Sequence, residues 1–433
     1  ITRLPPDTLA EADLIMTIQD LWSIRAEGPG SEGPSFEALF SYGFRPFFLG
    51  AGIFSALLMT VWLAFVADLA TGGSGQWLAI AGSPYAWHAH ELIFGFAGAA
   101  IGGFLLTAVP NWTGALPVSG GPLAGLFALW GAGRVAMAIS GVLPPWLVAA
   151  ADLAFIPVLG LFAAWQLMVK PAARNFVFLA LLLLLFAANA VYHLATYDLV
   201  TADPLAILRN GLLVVGVMIA VIGGRIIPSF THNWLHINRP GAPLPRRIAP
   251  LDLGAVLSIV AILGARLLDA PPLIEGVIAV VASVLNAVRL ALWRGWKTRA
   301  EPIVWVLHAG YAWLVIALAL IAAANLTPWV PLSLANHAMG TGAIGLMILA
   351  VMSRASLGHT GRRIVAAPAT VVSYRLVSLA AHLRVAGPLL LPQYSGPILV
   401  VAALAWIAAF VSFLWVYAPI LTSPRVHAKR VTV

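Results

Sequence analysis

The chain has no cysteine. That absence excludes disulfides, iron–sulfur clusters, thiolate-ligated haem, a thiolate copper site and covalent haem attachment through C-x-x-C-H. Charge is nearly as scarce. Asp, Glu, Lys and Arg make up 9% of the 433 residues, against roughly a quarter in a water-soluble domain. With 61% hydrophobic residues and a mean hydropathy of +0.94, the composition excludes a soluble globule. Ten-residue strands of alternating polarity are missing too, which argues against a membrane barrel. What is present are apolar runs of about 20 residues, the length that crosses a bilayer as a helix. The formal charge of +8 belongs mostly to loop Lys and Arg. It therefore speaks to orientation in the bilayer and not to a nucleic-acid partner.

The expected fold is all-α: a polytopic membrane protein of about twelve transmembrane helices joined by short loops, with both termini cytoplasmic. The twelve spans run roughly Pro46–Ala70, Trp87–Val109, Leu123–Ser140, Trp146–Met168, Phe176–Thr196, Leu205–Pro228, Leu251–Leu268, Leu273–Arg294, Ile303–Ala323, Leu332–Val351, Pro368–Ala386 and Pro397–Ala418. Trp87, Trp112, Trp146, Trp234 and Trp329 flank them as interfacial anchors. Lys and Arg gather at the N-terminus, in the loops after even-numbered spans (Lys170, Arg174, Arg239, Arg246, Arg247, Arg362) and in the tail. The opposite side holds Arg209, Arg266 and Arg384. By the positive-inside rule that asymmetry puts both ends in the cytoplasm. Residues 1–38 divide off as a polar segment, 39–420 as the membrane domain and 421–433 as a basic tail. Within the first, Asp7–Arg25 carries Leu14, Ile18, Leu21 and Trp22 at helical spacing, so an amphipathic surface helix is expected rather than a cleavable signal peptide.

Ionisable side chains inside spans are expensive and are functional candidates by default. Trp87-His88-Ala89-His90-Glu91 opens the second span, His193 closes the fifth and His337 opens the tenth. These four histidines fall within one or two turns of the outer surface, on three helices that can converge; His382 is a weaker fifth member. Imidazole is the main strong metal donor left without cysteine. On a regular helix His88 and His90 point roughly 200° apart, so the two serve different partners. Glu91, three residues after His88, shares its face and is a candidate proton carrier or metal ligand. Packing against interfacial carbonyls is the alternative for any single ring; four rings and a carboxylate on one side favour a metal. Gly95, Gly98 and Gly102, with Gly342 and Gly345, let helices approach closely or leave a slot for a flat macrocycle. Buried Arg134, Arg289 and Arg375, with Asp152 and Glu275, need partners within the bundle. On the inner side His308, His359, Arg225 and Arg354 are cofactor-binding candidates, the arginines serving as surface anchors or as binders of an anionic group.

Several stretches together resemble one family. Gly43-Phe44-Arg45-Pro46-Phe47-Phe48, the WHAHE stretch from Trp87, Gly103 to Gly114 (GFLLTAVPNWTG), Gly224-Arg225-Ile226-Ile227-Pro228, Leu307-His308-Ala309-Gly310-Tyr311 and Leu357-Gly358-His359-Thr360-Gly361-Arg362 are similar to the NnrS family. The resemblance covers nearly everything after about Leu39, while the acidic N-terminal extension falls outside it. It implies a bacterial inner-membrane protein that contains haem and copper and is associated with denitrification and nitric oxide resistance.

On that basis the first reading is an oxidoreductase that reduces nitric oxide to N2O. Haem b and a second ion, copper or non-haem iron, would be held among His88, His90, His193 and His337, with Glu91 delivering protons and Arg residues on the propionates. No electron-transfer domain is encoded, so electrons come from quinol or a periplasmic carrier. The second reading is a haem protein that binds nitric oxide without turnover, distinguished by saturable uptake with no N2O. The third is a secondary transporter, for which helices interrupted near Pro110, Pro157 and Pro228 are the cue.

Overall fold

The computed structural model describes residues 33–426. The expected helix over Asp7–Arg25, and His427 in the tail, lie outside those residues. Among the described residues there is no strand, and a one-turn helix at Phe36–Leu39 leads into long helices. These are α1 (Phe44–Ala70), α2 (Pro84–Thr113), α3 (Gly120–Ala138), α4 (Pro145–Val169), α5 (Ala173–Thr196), α6 (Pro204–Asn238), α7 (Ala249–Leu267), α8 (Pro272–Leu292), α9 (Pro302–Leu326), α10 (Leu332–His359), α11 (Pro368–Leu390) and α12 (Ser395–Thr422). Ten of them are long and apolar enough to cross a membrane. The other two, α3 and α11, stand where spans were expected but are diluted by glycine and Arg134, and by Arg375, His382 and Arg384.

Most helices begin with proline in the first turn, where its missing N–H costs nothing. Prolines farther along act differently. Pro157 cannot donate to the carbonyl of Leu153, and α4 breaks there into Pro145–Leu153 and Phe155–Val169. Pro228 does not end α6, although the sequence pattern stops the span there. The helix continues to Asn238, as membrane helices often do past proline, and carries His232 and His236 on it rather than in a loop. Two stretches widen to π-helix, Glu91–Ala97 in α2 and Ala338–Ile344 in α10, each directly after a histidine. Such widenings favour functional sites because they rotate the side chains that follow.

Packing places α1 against α12, α4 against α5 and α8 against α9. Inside that ring, the apolar windows of α2 and α10 are 72% and 67% buried, against 28% for α7 and α8. Two of the histidine-bearing helices, α2 and α10, are therefore the most buried of the ten.

Candidate metal centre

The site grows from the break in α4. Freed at Pro157, the end of the first half of α4 turns Asp152 into the bundle, where it is 2% exposed. Gly133 of α3 permits this approach: a Cβ there would lie 3.1 Å from the Asp152 Cα. The next residue, Arg134, then forms an ion pair with Asp152 Oδ1 through Nη2 and donates from Nη1 to Glu91 Oε1 at 2.5 Å. Glu91, 1% exposed, faces α3 and not the direction of His88. The change from α to π register at this residue explains the departure from regular helix spacing.

On the other side of Asp152 stand two imidazoles. His193 Nε2 lies 2.9 Å from Asp152 Oδ2, and His90 Nε2 lies 3.2 Å from the same oxygen. Asn189, one turn before His193 on α5, donates from Nδ2 to Asp152 Oδ2 at 2.8 Å and turns its Oδ1 to His90 Nε2, also at 2.8 Å. His90 Nδ1 is 2.9 Å from Glu91 Oε1. Tyr192 stacks on the His90 ring at 4.5 Å, sealing it from lipid.

Both nitrogens of His90 thus face oxygen acceptors, which calls for a cation: a doubly protonated ring, or an ion at Nε2. Charge balance says the same, since Glu91 and Asp152 outnumber Arg134 by one negative charge in a medium that tolerates none unpaired. His90, Asp152 and His193 each offer a donor atom, all within 4.8 Å of one another. Two imidazoles and one carboxylate suit non-haem iron, copper or zinc, so the residues fit such an ion.

The remaining candidates lie elsewhere. His88 stacks on Trp62 of α1 at 4.1 Å, and its Nδ1 is buried without a hydrogen-bond partner among the described residues. Its chargeable neighbours are His337 and Arg384. His337 Nδ1 donates to the carbonyl of Ser333 at 2.7 Å, which leaves the Nε2 lone pair free. The four outer histidines therefore divide, with His90 and His193 converging on Asp152 and His88 and His337 outside that group. His382 repeats the carbonyl bond, to Ser378 at 2.7 Å. His308 meets the Thr231 hydroxyl at 2.8 Å, and His359 stacks on Tyr42. Arg225 donates to Asn175 and to the Arg174 carbonyl, and Arg354 lies over the Phe230 ring. Nearby Arg362, just past α10, has its pKa lowered by burial.

Sequence reasoning flagged Asp152 and Arg134 as needing partners without making Asp152 a donor, and it gave Asn189 no role. The available signal was a lone carboxylate five residues before a proline in an otherwise apolar span.

Fold and site define a polytopic helical membrane protein with a buried His–Asp–His group able to hold a metal ion. The NnrS protein family model matches residues 38–425, and the chain belongs to that family. A comparison with curated proteins finds no match. Membership suggests a membrane protein connected with nitric oxide.

Proposed function

We propose that this protein is a bacterial inner-membrane nitric oxide reductase, with twelve spans, both termini cytoplasmic, haem b and a second redox ion, copper or non-haem iron. The observation that carries the reading is the convergence of His90, Asp152 and His193 on one buried point, in a chain of the NnrS family. The reaction is 2 NO + 2 e⁻ + 2 H⁺ → N2O + H2O. His90, Asp152 and His193 would hold the ion, which when bound would supply redox chemistry and a positive charge beside the substrate. The chain's own groups do the rest. His90, Asp152 and His193 supply the donor set, and Asn189 holds Asp152 in place by donating to its Oδ2. Glu91, whose Oε1 accepts from Arg134 and faces His90 Nδ1, is the carboxylate that relays protons inward. Nitric oxide is small and uncharged and reaches the site through the bilayer, while electrons arrive from quinol or a periplasmic carrier.

The test is metal and haem analysis of the purified chain, followed by nitric oxide under a reductant with N2O measured in the headspace. Catalytic N2O release that is lost in Asp152→Ala is expected. Stoichiometric uptake with no N2O would overturn the enzyme reading in favour of nitric oxide sequestration.

A further inference from the structure

At one end of the bundle the start of α1 meets the ends of α10 and α12. Ser35, ahead of α1, donates its N–H to the Thr422 carbonyl at 2.9 Å. Val426, past α12, donates likewise to the carbonyl of Thr360, just past α10, at 2.9 Å. Gly361 makes that closure possible. Its φ is +76°, and a Cβ there would collide with the Val426 carbonyl oxygen and lie 3.5 Å from the Arg425 Cγ.

The side chains gathered at this joint are cationic. Arg45, in the first turn of α1, is 3% exposed and donates from Nη1 to the carbonyls of Leu421 and Ser423 at 2.9 and 2.6 Å. Its charged neighbour is Arg362. The Nη1 of Arg362 is itself buried with no hydrogen-bond partner among the described residues. Arg425 is the charged neighbour of Tyr42 and His359, whose rings stack at 6.0 Å. Arg134, Arg266 and Arg289 each meet a carboxylate elsewhere in the bundle. None of these three does so among the described residues.

Guanidiniums brought together and partly buried without an anion repel one another and are costly. The planar fork of arginine matches the oxygens of a phosphate, which has enough of them for more than one fork. The level of the joint fits as well. It lies at helix ends, on the face that the Lys and Arg asymmetry assigns to the cytoplasm. Basic pockets between helices on that face take the headgroups of anionic phospholipids.

We propose that Arg45, Arg362 and Arg425 form a phosphate site at the joint of α1, α10 and α12, filled by an anionic phospholipid headgroup or by free phosphate. The site is separate from the His90–Asp152–His193 group and takes only its leaflet from the proposed orientation.

The test uses the full chain purified in a neutral detergent, with phosphatidylglycerol, phosphatidylcholine and inorganic phosphate as probes at one fixed salt concentration. Native mass spectrometry reads the retained phospholipid and titrates its Kd. Thermal unfolding reads inorganic phosphate, since a ligand of the folded state raises Tm. The expected result is a single phosphatidylglycerol held far more tightly than phosphatidylcholine, which identifies a lipid as the source. A rise in Tm with inorganic phosphate and no lipid preference identifies a soluble phosphate. In either arm Arg362→Gln should weaken binding by about 10-fold, the worth of one charge-assisted hydrogen bond. Arg299→Gln, at an exposed arginine of the same face, should leave it unchanged. If Arg362→Gln does not fold, Arg425→Gln, at an exposed position, decides. No lipid preference together with no phosphate-induced rise in Tm would overturn the proposal. So would equal weakening in Arg299→Gln and Arg362→Gln, or an acidic side chain of this chain found against Arg362 in place of phosphate.

Discussion

Two buried clusters in this bundle each pair an arginine with an aspartate, and they are built to different ends. In the first, Arg289 of α8 donates from Nε to Asp252 Oδ1 at 2.6 Å, and from Nη1 to the Ala220 carbonyl and the Tyr311 hydroxyl, both at 2.8 Å. Tyr311 donates onward to Asn286 Oδ1, and Asn286 closes on the carbonyls of Ala255 and Ala282. Gly224 leaves room for the guanidinium against α6. Arg247 reaches the other oxygen of Asp252 at 3.4 Å, so this carboxylate is fully paired and no negative charge is left over, and no imidazole takes part. In the second cluster two carboxylates meet one guanidinium, and two imidazoles point their nitrogens at a shared oxygen. The first is a closed clamp tying α6, α7, α8 and α9 together. The second has one negative charge to spare and donor atoms that converge, so it calls for a proton or a metal. Buried charge alone does not mark a site; a surplus of negative charge beside converging donor atoms does.

The sharpest way to break that contrast is to remove the shared carboxylate. Asp152→Ala should lose the bound non-haem ion entirely and with it nitric oxide consumption. Elemental analysis of the purified variant, beside an Asp252→Ala control that keeps its metal, checks this. Equal metal loss in both would mean that neither cluster is a binding site. Next in size is Glu91→Gln, which keeps the hydrogen-bonding shape but cannot carry a proton. Turnover should fall by about 10²–10⁴-fold, the usual contribution of a positioned proton donor, with metal content retained. Unchanged turnover would remove Glu91 from the proton path.

These two residues also show what a sequence can and cannot say. That Glu91 sits in an expensive place is plain from the apolar run it opens, and His90 and His193 follow from the same logic applied to helix ends. The helical class was legible for the same reason, because run length reflects bilayer thickness. Which way Glu91 points was not. Helix spacing puts it beside His88, and the π-turn starting at that residue turns it to Arg134 instead. Nor could periodicity tell that α6 outlasts Pro228, or that a break at Pro157 would deliver Asp152. Those outcomes depend on contacts between helices far apart in sequence, and apolar patterns on lipid-facing and protein-facing sides look alike.

The clamp should respond in the opposite sense. Arg289→Met takes the donor away from Asp252 Oδ1, the Ala220 carbonyl and the Tyr311 hydroxyl, and breaking a buried pair costs about 3–5 kcal/mol. The expected result is a marked loss of thermal stability with metal and haem content per folded chain unchanged. Loss of metal at equal stability would join the two clusters into one functional unit.

The smallest effect expected comes from a single methyl group at the join of α3 and α4. A Cβ on Gly133 would sit 3.1 Å from the Asp152 Cα and 3.3 Å from the Ala151 carbonyl, both of them backbone atoms that cannot swing aside. Gly133→Ala must therefore push the two helices apart by a few tenths of an ångström, at about 1–3 kcal/mol for overpacking. Helix propensity works the other way, since alanine is favoured over glycine by about 1 kcal/mol, so the net stability change is small. The geometry is less forgiving, because moving Asp152 shifts the oxygen on which His90 and His193 converge. Metal affinity should drop by about 10-fold, the lower end of what misplaced supporting contacts cost, while the Arg289 clamp stays intact. Competition with a chelator measures this. An affinity equal to that of the native chain would show that the approach of α3 does not set the position of Asp152.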